Sequence, residues 1–181
     1  MEINNELFEK ALIFAAKKHK GQKRKGNKLP YIIHPMGVAA ILLEAKESKN
    51  ILLLLIVCLL HDYVEDCDEH LTEAVKLAKI AKLFGHQVAA LVEELTLDKD
   101  KYETVGKTQL LCDEVLKMSS YALAIKLADR LYNVRDTKSM PDTFRDKYFT
   151  ETKTVIATLE ENRKLTKSQL YLVNKIKEVI K

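Results

Sequence analysis

Apolar residues recur along this chain at helical intervals. Residues 6–19, ELFEKALIFAAKKH, place Leu7, Ala11, Phe14 and Ala15 on one stripe with Lys and Glu elsewhere, the spacing of an amphipathic helix. The following KGQKRKGNKLPY holds two Gly, a Pro and a dense set of Lys and Arg, and reads as a basic loop. A second helix resumes after His34-Pro35 and runs to about Ala45. A third is predicted from Asn50 to about Asp66, capped by Asn50 or Ser48; it is too long for an ordinary strand. Further helices are expected at 71–84 with Gly85 as the stop, and at 86–96, 107–135, 143–162 and 168–180. The 107–135 segment has a candidate break near Ser119-Ser120, and Thr166 with Gln169 has capping-box spacing. No segment alternates polar and apolar residues convincingly, so the expectation is an all-α bundle forming a single domain over residues 1–181.

Composition narrows the class. Hydrophobic residues make up 47% of the 181 and charged ones 31%, with only five Gly and three Pro, as befits a helical globular protein. A domain of this length buries roughly 70% of the surface its unfolded chain would expose, so it can hold a core without staples. The longest apolar run, Ile51 to Leu60, is ten residues, where a membrane span needs about 20; it is a core segment. The net charge of +4 comes from interspersed Lys and Glu, and neither DNA nor a membrane is an expected partner. Cys58, Cys67 and Cys112 lack CxxC spacing, and the acidic N-terminus MEINNELFEK does not resemble a signal peptide. A reducing, cytoplasmic setting is expected.

The chemistry concentrates in LLHDYVED, residues 59–66. Charges are costly to bury, so a His, two Asp and a Glu directly after an apolar run must be solvated, paired or bound to a cation. On a helix, His61 and Glu65 are i, i+4 neighbours, as are Asp62 and Asp66, giving two adjacent polar stripes. A lone His-Asp pair is more often an exposed helix end than a site. Two other positions change the weighing. His34 lies in YIIHP, where Tyr31, Ile32 and Ile33 read as buried, although taken alone it is a satisfied core histidine. Asp129 lies in AIKLADRLYNVRD among Ala124, Ile125, Leu127, Ala128 and Leu131, and shares a face with Asn133 and Asp136. The ordinary account of that face is a polar stripe paired with Lys126 and Arg130. Together, His34, His61, Asp62 and Asp129 make a mixed N/O donor set with room for water or substrate.

The ordered set H…HD…D resembles the signature of the HD metal-dependent phosphohydrolase superfamily. The segments GQKRKGNKLPYIIHPMGVAAIL, LLHDYVEDCD, LFGHQVAALVEELT and IKLADRLYNVRD follow, in order, its guanosine tetraphosphate-hydrolysing branch. They lie in a motif-bearing core of about residues 6–140, with C-terminal helices at about 143–181. LYNVRD stands where the long bifunctional RelA/SpoT enzymes usually have LHNMRT, so the chain is most similar to the small, stand-alone hydrolases. The residues outside these blocks are too few for a synthetase domain, and synthesis is not expected.

The resemblance implies that His34, His61, Asp62 and Asp129 hold manganese or another divalent metal. It implies that Glu65 and Asp66 position or deprotonate the attacking water. Arg24 matches an Arg that stacks on guanine, Lys25 would attract phosphate, and Asn133 matches an Asn near the ribose. Lys18, Lys20, Lys23, Arg24, Lys25 and Lys28 form a cationic segment suited to a polyphosphate substrate. The implied reaction is hydrolysis of ppGpp or pppGpp at the 3′ position, giving GDP or GTP and pyrophosphate. The alternatives are an HD phosphatase of another nucleotide, such as NADPH, or an idle alarmone- or RNA-binding HD domain. The idle reading would predict lost ligands, and all four are kept beside Glu65 and Asp66. Three departures stand out: a loop from Arg24 to His34 longer by one residue than in the bifunctional enzymes, Leu97 in place of a polar residue, and Asp136 where the long enzymes have Thr. His19, His70 and His86 read as surface or packing residues, and Cys58 and Cys67 as buried thiols. The last helices are candidates for self-association as a homo-oligomer.

Overall fold

The computed structural model describes residues 2–45 and 48–181, without the side chains of residues 99, 100 and 102. Among the described residues there are helices and no strand, apart from an isolated bridge between Lys23 and Pro30. The chain divides into two compact units: the residues up to Arg24 with Lys28–Thr96, and Lys25–Asn27 with Leu97–Lys181.

The first unit is built on α1 (Asn5–Lys18), α2 (Ile33–Ala45), α3 (Ile51–Leu60), α4 (Tyr63–Asp66), α5 (Glu73–Phe84) and α6 (His86–Leu95). The Asn4 side chain caps α1 by accepting the Leu7 N–H at 3.0 Å, and Thr72 caps α5 through the Val75 N–H at 3.4 Å. Gly85, with φ of 97°, separates α5 from α6, a conformation that favours glycine. At the centre lies α3, buried from Leu53 to Leu60 and packed against α1, α2 and α6. An apolar helix without a polar face belongs inside a protein.

The single helix predicted over residues 50–66 is two helices. His61 and Asp62 keep right-handed backbone angles, but the Asp62 ψ of −4° leaves the helical value and turns the chain into α4. The turn lets Tyr63 and Val64 be buried while Asp66 reaches the surface. The expectation that residues 31–33 are buried also needs correcting. Tyr31 and Ile32 are half-buried and Ile33 is 37% exposed. On α2 the inward face is taken by His34, Val38, Ile41 and Leu42 at helical spacing, and Ile33 falls outside it.

Three elements of this unit meet at Asp68, a non-glycine residue with φ of 49°. Its carboxylate accepts from Lys18 of α1 at 2.6 Å, from Lys79 of α5 at 3.3 Å and from the Tyr63 hydroxyl of α4 at 2.8 Å. Lys18 and Lys79 each lie 5.9 Å from the Phe14 and Tyr63 ring centroids. Burial alone would raise the Asp68 carboxyl, but Lys18, Tyr63 and Lys79 outweigh it and hold it below the usual carboxylate range.

The second unit holds α7 (Lys99–Val105), a helix not anticipated from the sequence, then α8 (Lys107–Lys117), α9 (Ser120–Asp136), a 3-10 turn over Thr137–Ser139, α10 (Asp142–Asn162) and α11 (Lys167–Val179). The expected break in 107–135 occurs at Met118-Ser119, where the Ser119 hydroxyl accepts the Ala122 N–H at 3.2 Å. The capping box at Thr166 and Gln169 is present, and the Gln169 amide also donates to the Ser120 carbonyl at 3.0 Å, tying α11 to the start of α9. Buried Arg130 of α9 donates to Glu151 of α10 at 2.7 Å, beneath the Tyr148 ring at 4.9 Å. No helix among the described residues is long and apolar enough to cross a membrane.

Ile56→Ala, which empties a fully buried position in α3, should lower stability by about 2–5 kcal/mol in denaturant unfolding, whereas Leu43→Ala on the exposed face of α2 should change it by under about 0.5 kcal/mol. The depressed Asp68 carboxyl stabilises the fold above its unfolded value of about 3.9, and that contribution fades as pH falls through the folded value. The difference in melting temperature between the wild type and Asp68→Asn should therefore be constant from neutrality to about pH 4 and shrink below it.

Candidate active site

In the first unit, α3 delivers His61 and Asp62 at its C-terminal end and α2 delivers His34 from its first turn. Both imidazoles are buried, and the Asp62 side chain keeps 16% of its surface exposed. His61 Nε2 lies 3.0 Å from Asp62 Oδ1 and His34 Nε2 lies 3.3 Å from Asp62 Oδ2, so each carboxylate oxygen faces a different ring. The other nitrogen of His61, Nδ1, is 2.8 Å from the Cys58 carbonyl. A carbonyl only accepts, so Nδ1 carries a proton and Nε2 is the nitrogen turned to the site. Burial alone would raise the Asp62 carboxyl; His61 and His34 outweigh that effect and hold it well below its usual range. The result is an ionised carboxylate between two imidazole nitrogens, the donor chemistry that suits a divalent cation.

The expected water-handling pair sits on α4, Glu65 half-buried and Asp66 exposed. Tyr31, by sequence a buried packing residue, joins the two groups. The Tyr31 hydroxyl is 2.8 Å from Asp62 Oδ2 and 2.9 Å from Asp66 Oδ2. Burial, then Asp62 and Asp66, push the Tyr31 phenol far above its ordinary value, so it stays protonated. Asp66 is also held through its backbone: its N–H donates to the Asp62 carbonyl at 2.9 Å, and its carbonyl accepts from the Gln22 amide at 2.7 Å. Buried His19 supports this edge, with Nδ1 at 2.6 Å from Gln22 Oε1 and its ring stacked on Tyr31 at 4.8 Å. It is a packing residue of the site. Tyr31 stands three residues before His34 in YIIHP, just ahead of α2, and its carbonyl accepts the His34 N–H at 2.8 Å.

The basic segment divides by environment. Arg24 is half-buried with its guanidinium 5.4 Å from the Tyr31 ring centroid, and its N–H donates to the Leu29 carbonyl at 2.9 Å. Lys20, Lys23 and Lys28 are exposed. Lys18 does not join them, because it is committed to Asp68.

In the second unit, Asp129 and Asn133 share a face of α9, and the Asn133 amide donates to Asp129 Oδ1 at 2.6 Å. Asp136, on the same face, accepts from the Asn27 amide at 2.8 Å. Beside it, a Cβ on Gly26 would collide with the Ser139 side chain and lie 2.9 Å from the Ser139 carbonyl, so this approach requires glycine. Lys25 is exposed. The Arg130 guanidinium turns to Glu151 of α10.

Comparison with known proteins follows this geometry. The chain matches the HD domain family over residues 11–165. It is 42% identical over 132 residues to the human guanosine-3′,5′-bis(diphosphate) 3′-pyrophosphohydrolase MESH1, covering 72% of this chain and 69% of that one. The Xenopus tropicalis MESH1 is 40% identical over 139 residues, covering 76% and 73%. A Brucella melitensis protein named GTP pyrophosphokinase rsh is 34% identical over 164 residues, which span 87% of this chain and 20% of that protein. A solved structure described as a metazoan ortholog of SpoT that hydrolyses ppGpp superposes with a TM-score of 0.78 at 32% identity, over 98% of both chains. An HD domain implies a divalent metal, and the donors around Asp62 fit one. The chain belongs to the HD-domain family, in the group that includes MESH1.

Proposed function

We propose that this protein hydrolyses ppGpp and pppGpp, releasing pyrophosphate from the 3′ position and leaving GDP or GTP. The observation that carries the reading is the Asp62 carboxylate set between two imidazole Nε2 atoms, in a chain 42% identical to a named 3′-pyrophosphohydrolase over most of both lengths. His34, His61, Asp62 and Asp129 would hold the divalent cation, manganese in this reading. Such a cation supplies Lewis acidity, making water more acidic and withdrawing charge from a phosphoryl oxygen.

The protein's own groups do the rest. Asp66, with Glu65 on the same short helix, accepts a proton from the attacking water. The water oxygen bonds to the ribose-proximal 3′ phosphorus, the bond from that phosphorus to O3′ breaks, and O3′ takes up a proton to become the hydroxyl of the product nucleotide. Arg24 offers guanine a flat cation, which a lysine cannot. Lys25 draws the phosphates by charge, and Asn133 contacts the nucleotide near the ribose while its amide steadies Asp129. Because the substrate is densely anionic, stabilising its developing charge is the main task of the site.

Purified protein with Mn2+ should release pyrophosphate from ppGpp, and Asp129→Asn should lower kcat more than about 100-fold. Arg24→Lys should raise KM with kcat nearly kept. NADPH assayed in parallel separates the substrates: phosphate released from NADPH, with ppGpp intact, would replace the alarmone by another nucleotide.

A further inference from the structure

The geometry points to Tyr31 as a positioning residue with two separable duties: its hydroxyl aims the carboxylates of Asp62 and Asp66, and its ring carries Arg24. This inference rests on the hydrolase reading above. An aromatic ring wedged beside His19 could serve packing alone, and a phenylalanine would then do equally well. The hydroxyl argues otherwise. It sits within 2.9 Å of both carboxylates, between a group read as a cation ligand and one read as an acceptor of the water proton. Asp66 is otherwise anchored through its backbone, at the Asp62 carbonyl and the Gln22 amide, which fixes where the residue is and not where its carboxylate points. The phenol supplies that direction.

The ring makes a different contact. One side stacks on His19 with an interplanar angle of 20°, and the Arg24 guanidinium lies 5.4 Å from its centroid. A guanidinium held over an aromatic ring is restrained, so Arg24 meets a base already in place. Carboxylate direction governs turnover, whereas Arg24 placement governs nucleotide binding, and the two duties part company in kinetics.

The test compares Tyr31→Phe and Tyr31→Leu with the wild type by ppGpp kinetics, by the Mn2+ dissociation constant from titration of the free ion, and by melting without metal. Tyr31→Phe should lower kcat about 10- to 100-fold and weaken Mn2+ binding about 10-fold, with KM within about twofold and an unchanged melting temperature. Tyr31→Leu should add a rise in KM of about 3- to 5-fold. Wild-type kcat and Mn2+ affinity in Tyr31→Phe would overturn the hydroxyl's role, and loss of one alone would overturn it for the other carboxylate. A KM in Tyr31→Leu equal to that in Tyr31→Phe would overturn the ring's role, and a marked fall in the melting temperature of Tyr31→Phe would reduce the residue to packing. Should the wild type bind Mn2+ but leave ppGpp intact, the substrate reading fails, while the Mn2+ affinities still decide the hydroxyl's part.

Discussion

Everything in the first unit depends on a helix that has no wet side. From Leu53 to Leu60, α3 is buried on every face, so the polar groups that follow can appear only where the helix stops. The chain answers by turning at His61-Asp62. The turn leaves His61 buried and Asp62 partly open to solvent, and swings Asp66 to the surface, all within about one turn of backbone. His61 then uses the end of the same helix, binding the Cys58 carbonyl, to fix which of its nitrogens faces the site. A buried apolar rod thus sets the position of the His61 imidazole and the direction of its two nitrogens.

A second theme is the sorting of charge. The chain is rich in cations: Lys18 and Lys79 are matched to Asp68 and Arg130 to Glu151, while buried Lys76 donates to the Val64 carbonyl. Matching them internally keeps them from competing for the site's acidic groups. The exposed lysines of the loop after α1 remain at the surface, where charge acts at a distance on an anion.

Much of this was legible in advance. Helical spacing located most elements, and Thr166 with Gln169 marked the start of α11 because a capping box is a local device, complete within four residues. The candidate His and Asp positions stand out in the sequence because ligand chemistry restricts residue type. What escaped was whatever depends on contacts distant in sequence. A one-dimensional pattern cannot show that ψ changes at Asp62, since the residues on either side still have helical spacing. Nor can it show that Lys18 reaches a carboxylate fifty positions on, or that Arg130 points to α10. Tyr31 was passed over because tyrosine is an ordinary packing residue, and its hydroxyl gains meaning only when two carboxylates converge on it.

The Arg130–Glu151 pair beneath Tyr148 constrains how this protein can change through descent. Removing Glu151 strands the buried Arg130 guanidinium, at a cost of about 3–5 kcal/mol, whereas removing Arg130 leaves Glu151 its contact with Lys107 at 3.3 Å. The two single losses are unequal, so their order matters. A lineage that gives up this pair therefore loses the arginine before the glutamate, because the glutamate keeps Lys107 as a partner.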